Sequence, residues 1–298
     1  GSYQTTVTPS PNNANIFQIS AVGATSGTLG SLVQQRLITA VLDLSSSSPF
    51  AYGIFANSTI TMSGNAQTNS YNSNDGPYNQ ASAGTNGDIG TNLTSSGSIT
   101  LSGNVQINGD APIGPTGDAH TSITLSGNAV IQGTQGAASQ ATVLDPVTLP
   151  PGVTNSGPLS IRGNSTVTLP GGTYLYSSIS ISGNGQLNFS GPATVYVSGG
   201  GISIGGNGIG TTQNLPPNLK IYMHGNNGVS FSGNGNFYGA IYAPLSQISI
   251  SGNGEFFGAM VGNTISNSGN GNIHFDEALS QGAGGGSGSN QLKSWSEV

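Results

Sequence analysis

The sequence predicts an all-β protein: a right-handed parallel β-helix with a small N-terminal β element and a returning C-terminal strand. Three observations predict it. A Gly-Asn turn recurs with its asparagine at Asn65, Asn104, Asn128, Asn164, Asn184, Asn207, Asn234, Asn253 and Asn270, at gaps of 39, 24, 36, 20, 23, 27, 19 and 17 residues. Apolar residues keep step with it. Five residues before each asparagine stand Ile60, Ile99, Ile123, Leu159, Ile179, Ile202, Val229, Ile248 and Ile265, and three before stand Met62, Leu101, Leu125, Ile161, Ile181, Ile204, Phe231 and Ile250, with Asn267 the exception. A third register, ten to twelve residues ahead of the turn in the C-terminal half, reads TYLY (173–176), TVYV (194–197), KIYM (220–223) and AIYA (240–243).

The first element, the strand before each turn, follows from the period of two between apolar positions, which is a strand period and not a helical one. The second, the strand after it, carries Ile107, Ile131, Val167, Leu187, Phe237, Phe256 and Ile273 three residues past the asparagine, with Thr68 and Gly210 as exceptions. With the tyrosine-bearing segment as the third, three short strands in a repeat of 17–27 residues make the length of one coil. Each coil buries its inward residues only by stacking on a neighbour about 4.8 Å away, giving about nine to eleven coils. At the corners, glycine and asparagine reach left-handed backbone at little cost. Stacked asparagines can pass side-chain hydrogen bonds along the column, so the nine form a structural ladder and not nine copies of a reaction centre.

Outside the repeat, 1–50 reads as a β element: an apolar strand from Ile16 to Val22, then a strand or short helix from Leu32 to Leu44, with Gly1-Ser2 having the look of a cloning scar. The β-helix occupies 51–281. A linker of flexible composition follows at 282–290, and 291–298 reads as a strand returning to the N-terminal hairpin.

Composition narrows the function. Four Lys and Arg against ten Asp and Glu give a net charge of −6, with no basic patch for phosphates, so nucleic acid is not an expected partner. The absence of cysteine removes disulfides, thiolate catalysis and Cys-based zinc sites. No apolar run reaches the roughly 18 residues of a membrane span.

The segments FQISAVGATSGTLGSLVQQRLITAVL, YGIFANSTITMSGNAQTNSYNSNDGPY and GAIYAPLSQISISGNGEFFGAMVGNTISNSGNGNIHFDEAL, with the closing SWSEV, resemble the exported part of bacterial PilX-like, minor-pilin-type pilus-assembly proteins that carry a Gly-Asn-rich β-helix. That resemblance implies a pilin-like N-terminal element, other filament subunits as partners, an extracellular or cell-surface location, and membrane anchoring through a hydrophobic N-terminal helix that this sequence lacks. The function it implies is that of a non-enzymatic structural, accessory or adhesive component of a type IV pilus-like filament. Two alternatives stay open: a carbohydrate-binding or carbohydrate-active β-helix, and an ice- or surface-binding protein, which would need a regular outward threonine array where TITM and SITL offer only scattered ones.

Candidate chemistry is sparse, and no catalytic residue is expected. Asp276 and Glu277 adjoin at the end of the last coil and read as a polar cap; Asp75, Asp88, Asp110 and Asp118 lie in long loops where they make turns or gather round a calcium ion. No other cofactor is expected. His120, His224 and His274 have no metal-ligand spacing, and His274, between Ile273 and Phe275, should face outward. Tyr174 (or Tyr176), Tyr196, Tyr222 and Tyr242 should point outward as a stripe able to meet a sugar, another subunit or the N-terminal hairpin. The coil ends are open sheet edges, available either to a cap or to end-to-end stacking.

Overall fold

The computed structural model describes residues 2–10, 13–26, 33–43, 48–280 and 291–297. The chain divides into two units, 1–48 with 283–298, and 49–282.

In the first unit, strand Ser2–Ser10 pairs antiparallel with Asn13–Ser26, that strand with Val33–Asp43, and Gln291–Glu297 closes antiparallel on Val33–Asp43. The segment expected as strand or short helix is a strand. Ser2–Ser10 went unpredicted because SYQTTVTPS has almost no apolar face; its β-branched Thr5, Thr6, Val7 and Thr8 still favour extension. The linker at 282–290 lies outside the described residues.

The second unit is built almost wholly of parallel strands, 21 of them in one sheet. Strand pairing runs from each strand to the one three further on, as in Pro158–Ile161 with Ser178–Ile181, Thr166–Leu169 with Gln186–Phe189, and Gly172–Tyr176 with Ala193–Val197. Every turn of three strands is thus one tier, and among the described residues there are nine, each containing one of the nine asparagines. Inward positions form a continuous core: Ile54, Ile60, Met62, Leu101, Ile107 and Leu187 are fully buried. Glycine at the corner is required by geometry. Gly103 has φ 78° and Gly127 φ 70°, and a Cβ on Gly103 would stand 2.7 Å from the Gly64 carbonyl oxygen of the tier beneath.

Side-chain amides give the order of the tiers. Asn184 donates to Asn164, and Asn207 donates to the Asn184 main-chain carbonyl; Asn253 donates to Asn234, Asn270 to Asn253, Asn65 to Asn270, Asn104 to Asn65 and Asn128 to Asn104, at 2.7–3.1 Å. Strand register places the Asn234 tier on the Asn207 tier, although no amide bond joins those two side chains. The stack therefore runs 164, 184, 207, 234, 253, 270, 65, 104, 128. Coil-on-next-coil stacking, expected from the order of the turns, holds within 158–280 and within 54–137 but fails between Asn128 and Asn164. Among the described residues, Ile123–Leu125 pairs only with Ile99–Leu101, and Pro158–Ile161 only with Ser178–Ile181.

The chain enters this stack in the middle. Ile54–Ala56 lies between Phe256–Asn267 and Ile89–Thr91, so it supplies the third strand of the tier whose other two are Ile265–Asn267 and Ile273–Asp276. From there the chain winds to the Asn128 end, and residues 139–157 carry it back to the Asn164 end. Eight spacings of about 4.8 Å need about 38 Å, within the reach of about 65 Å available to 19 extended residues. This return segment runs along the outside of the third-strand column.

Candidate functional site

The tyrosine stripe is where the return segment passes. Tyr196, Tyr222 and Tyr242 are register partners, and the column continues through Val261 and Phe55 to Gly90. All point away from the core, yet Tyr222 and Tyr242 are only 5% exposed. They belong to a second apolar cluster with Phe50, Val147, Phe275 and Leu279, against which Tyr52, Leu144 and Tyr196 pack. The Tyr242 hydroxyl donates to the Asp145 carbonyl at 2.9 Å, and His224 Nδ1 meets the Val147 carbonyl at 2.7 Å. As partner contacts these tyrosines must therefore be corrected: the surface expected to be open at Tyr222 and Tyr242 is closed by residues 144–147 and 50–52. Burial, with the neighbouring Tyr196, pushes the Tyr222 phenol up to about 12, and burial also raises Tyr242. Tyr196 is half-buried and stacks on Tyr222 at 5.2 Å. Tyr174 and Tyr176 do not join the stripe, a correction to the expectation: they are register partners of the buried Val195 and Val197, Leu175 holds the place of Tyr196, and Tyr174 packs against the core, stacks on the buried Tyr176 at 6.1 Å and donates to the Pro170 carbonyl.

A second aromatic column borders a cleft, which Tyr238, Tyr71 and Tyr78 reach as half-buried rings while Phe257 is 5% exposed. In the column after the turn, Tyr238, Phe257, His274 and Asn69 are successive register partners four residues past their asparagines. Tyr238 stacks on Phe257 with centroids 4.6 Å apart and planes 5° from parallel; Phe257 stacks on His274 at 4.6 Å. Tyr71 and Tyr78 meet Phe257 edge-on. Between these rings and Gln213, Asn214 and Leu215 lies an open cleft of about 590 Å³, with Ser73, Gly76 and Pro77 completing its wall. None of its lining residues is charged. The sequence offered one signal for it, the aromatic at the fourth position after Asn234 and Asn253, which the inward pattern at the third position overshadowed.

Behind the cleft sits His274, 1% exposed. It faces away from the core, as its alternation predicts, but Tyr78 from the 72–79 loop covers it at 3.9 Å between centroids. Its Nδ1 donates to Asn69 Oδ1 at 2.7 Å, and Asn69 Nδ2 donates to the Tyr78 hydroxyl at 2.9 Å. Nε2 makes no hydrogen bond and lies 3.7 Å from Glu255 Oε1. Burial holds the imidazole down to about 4, so it is neutral at physiological pH.

Asp88, Asp110, Asp118 and Asp276 are engaged with main-chain amides. Asp88 accepts from the Asp110 amide, Asp110 from the Thr134 amide, and Asp118 caps the helical turn Ala119–Ser122. Asp75 is exposed. Among the described residues no three of His, Cys, Asp and Glu gather as metal ligands. Asp276 accepts from the Ser73 and Ala278 amides while burial raises its carboxyl. Its position corrects one expectation: Asp276 and Glu277 do not end the stack, because the Asn65 tier lies on theirs.

Residues 153–282 match the family model described as Domain of unknown function (DUF7305). That span coincides with the run of tiers from the Asn164 end to the tier of Asn270. The chain is similar to the crystal structure of the competence-associated pilin ComZ from Thermus thermophilus at a TM-score of 0.44 and 13% identity, covering 99% of this chain and 83% of that one. No curated protein matches.

Proposed function

We propose that this chain is a non-enzymatic structural subunit, or an accessory and adhesive component, of a bacterial type IV pilus-like filament at the cell surface. Its tiers wind as a right-handed parallel β-helix carried by a pilin-like sheet, and its partners are other filament subunits. One observation carries this reading. Strands from both chain termini make a single four-stranded sheet, and all the chain between them enters and leaves the tier stack within one tier, at Ile54–Ala56 and Ile273–Asp276. Such a connection lets a large display module be inserted into a small assembly module without altering the sheet that carries it. The engagement of Asp88, Asp110, Asp118 and Asp276 with backbone amides supports a scaffold over a hydrolase, whose two carboxyls must stand free at roughly 5–10 Å. Sheared surface filaments should contain the full-length protein; a protein that never co-fractionates with filaments and instead cleaves a polysaccharide would overturn the reading.

The aromatic cleft favours a second reading, that the module also binds a neutral saccharide. Pyranose rings pack their C–H faces on aromatic rings, and the uncharged Ser73, Gln213 and Asn214 offer donors and acceptors at its edge. Binding of uncharged oligosaccharides, followed by calorimetry, should weaken at least about tenfold in Tyr238→Ala and Tyr78→Ala, roughly 1.4 kcal/mol each. A glycan panel on which the wild-type protein binds nothing would sink this second reading and leave the first intact.

A further inference from the structure

Among the described residues both ends of the tier stack present open strand edges, except that at the Asn164 end the third strand is covered by residues 155–157, where the Ser156 amide donates to the Leu175 carbonyl and the Ser177 amide to the Gly157 carbonyl. At one, the inward Leu125 is 40% exposed, whereas Leu101, in its register position one tier in, is fully buried; Val130, on the outward side of the same end tier, is 37% exposed. At the other, Leu159, Val167 and Leu169 are half-buried, whereas Leu187, the partner of Val167, is fully buried. Repeat proteins ordinarily close such ends with a polar tier, because an exposed edge presents unpaired amides and carbonyls beside an open core.

The two ends are also complementary. Every bond of the asparagine ladder donates toward the Asn164 end, so among the described residues Asn164 Nδ2 has no acceptor there and Asn128 Oδ1 has no donor at the opposite end. At the turns the main-chain bonds run the same way, the Asn184 amide donating to the Gly163 carbonyl and the Asn128 amide to the Gly103 carbonyl, while along the strands they alternate, the Ile60 amide donating to the Ser98 carbonyl and the Ile179 amide to the Gly201 carbonyl in the opposite direction. At the turn one terminal tier therefore offers donors where the other offers acceptors, and along its strands each end offers both. The Asn164 end tier carries Arg162 and no acid, while the loop leading into the Asn128 tier carries Asp118 and neither Lys nor Arg.

A junction of this kind already exists inside the molecule. The Asn65 tier lies on the Asn270 tier with the Ser63 amide on the Asn267 carbonyl at 2.8 Å and Asn65 Nδ2 on Asn270 Oδ1 at 2.8 Å, between residues about 205 apart in the chain. The chain crosses this junction only from Ile54–Ala56 to Ile60–Met62, and the turns themselves dock by matching register.

We infer that the stack ends are a head-to-tail interface for a second copy of this chain, with the Asn164 tier of one copy seated on the Asn128 tier of the next. The contact is heterologous, so it propagates as an open row and does not close as a dimer. It rests on the tier register alone and holds whether or not the chain belongs to a filament.

The test uses the full chain and two edge-blocked variants, Leu125→Lys/Val130→Lys and Leu159→Lys/Val167→Lys. Mass is followed by sedimentation over a wide concentration range, with circular dichroism and melting curves as folding controls. Wild-type mean mass should rise with concentration, at least about twofold. Each variant alone should stay monomeric, and an equimolar mixture should form a pair and stop there, because each supplies the one free end the other lacks. Asn164→Asp, which sets a carboxylate against the Asn128 oxygen without changing shape, should also stop growth, and it decides the matter if a lysine variant fails to fold. A wild-type chain that is monomeric throughout, variants that still assemble, or a mixture that does not pair would each overturn the inference. Recovery of a monomeric chain in sheared filaments would overturn it while leaving the proposed function standing.

Discussion

The side-chain amide of Asn65 donates to Asn270 Oδ1 at 2.8 Å, so the first and the last of the nine turns in chain order are immediate neighbours in space. Asn128 and Asn164, successive in sequence, stand at opposite ends of the same stack. Parallel neighbours lie about 4.8 Å apart, inside the 4.4–6.8 Å between Cα atoms that a disulfide spans. The chain has no cysteine of its own, so engineered pairs report cleanly. Asn65→Cys/Asn270→Cys should cross-link on mild oxidation, and Asn128→Cys/Asn164→Cys should not cross-link within one molecule at dilution. Mass spectrometry of the non-reduced digest checks both, and the reverse outcome would restore the sequential order.

The return segment should matter for stability through two contacts. Tyr242→Phe removes the donor from the Asp145 carbonyl and leaves that oxygen short of a partner, costing about 1–3 kcal/mol. Val147→Asp places a carboxylate in the cluster of Phe50, Tyr222 and Tyr242, and should cost more, with limited proteolysis shifting to 139–157. Denaturant midpoints within error of wild type for both would mean that the segment does not hold the tyrosine column closed.

How far the sequence foretold this depends on which relationship is asked about. Corner and core were legible, because Met62, Leu101, Ile181 and Ile250 repeat a local rule of one glycine corner and alternating apolar positions, and all four are buried. Tier order was not. Equivalent turns dock equally well on one another, so nothing local to Asn128 says that Asn164 is not its neighbour. Gap length does not mark the break either, since the 39 residues from Asn65 to Asn104 join neighbouring tiers while the 36 from Asn128 to Asn164 do not, and 139–157, with Val143, Leu144, Val147 and Leu149, carries no Gly-Asn turn. The tyrosines were legible as pointing off the core, but their cover comes from that same patternless segment. The cleft depends on loops at 72–79 and 213–215, whose placement no period encodes.

Alkali should loosen the same column. Tyr222 has its phenol raised from 10 to about 12 by burial, so the unfolded chain loses its proton first as pH rises. Its contribution is complete below pH 10 and is lost as pH climbs through the window from 10 to about 12. Ultraviolet titration of phenolate should show Tyr222 ionising late, with stability falling in step, and Tyr222→Phe should flatten that fall. Equal alkaline slopes in the two proteins would remove Tyr222 as the cause.

His274 sets the opposite limit. Its imidazole is neutral in the fold, held down to about 4 by burial, while the unfolded chain takes up the proton near the ordinary 6.5. As pH falls below 6.5 the unfolded state therefore binds the proton first, and stability declines at about 1.4 kcal/mol per pH unit until about pH 4, where both states are protonated. Glu255, 3.7 Å from Nε2, is the only charged side chain that pairs with the ring among the described residues. Asp276 and Asp88, raised by burial, act with the reverse sign as they titrate. The comparison that isolates the histidine is thus His274→Phe, which keeps a ring between Phe257 and Tyr78 and removes the titration. Urea midpoints measured from pH 7 down to pH 4 should fall more steeply for wild type than for His274→Phe. Parallel curves would mean that His274 takes up its proton in the folded protein, and that the stacked rings of Tyr78 and Phe257 open to let it do so.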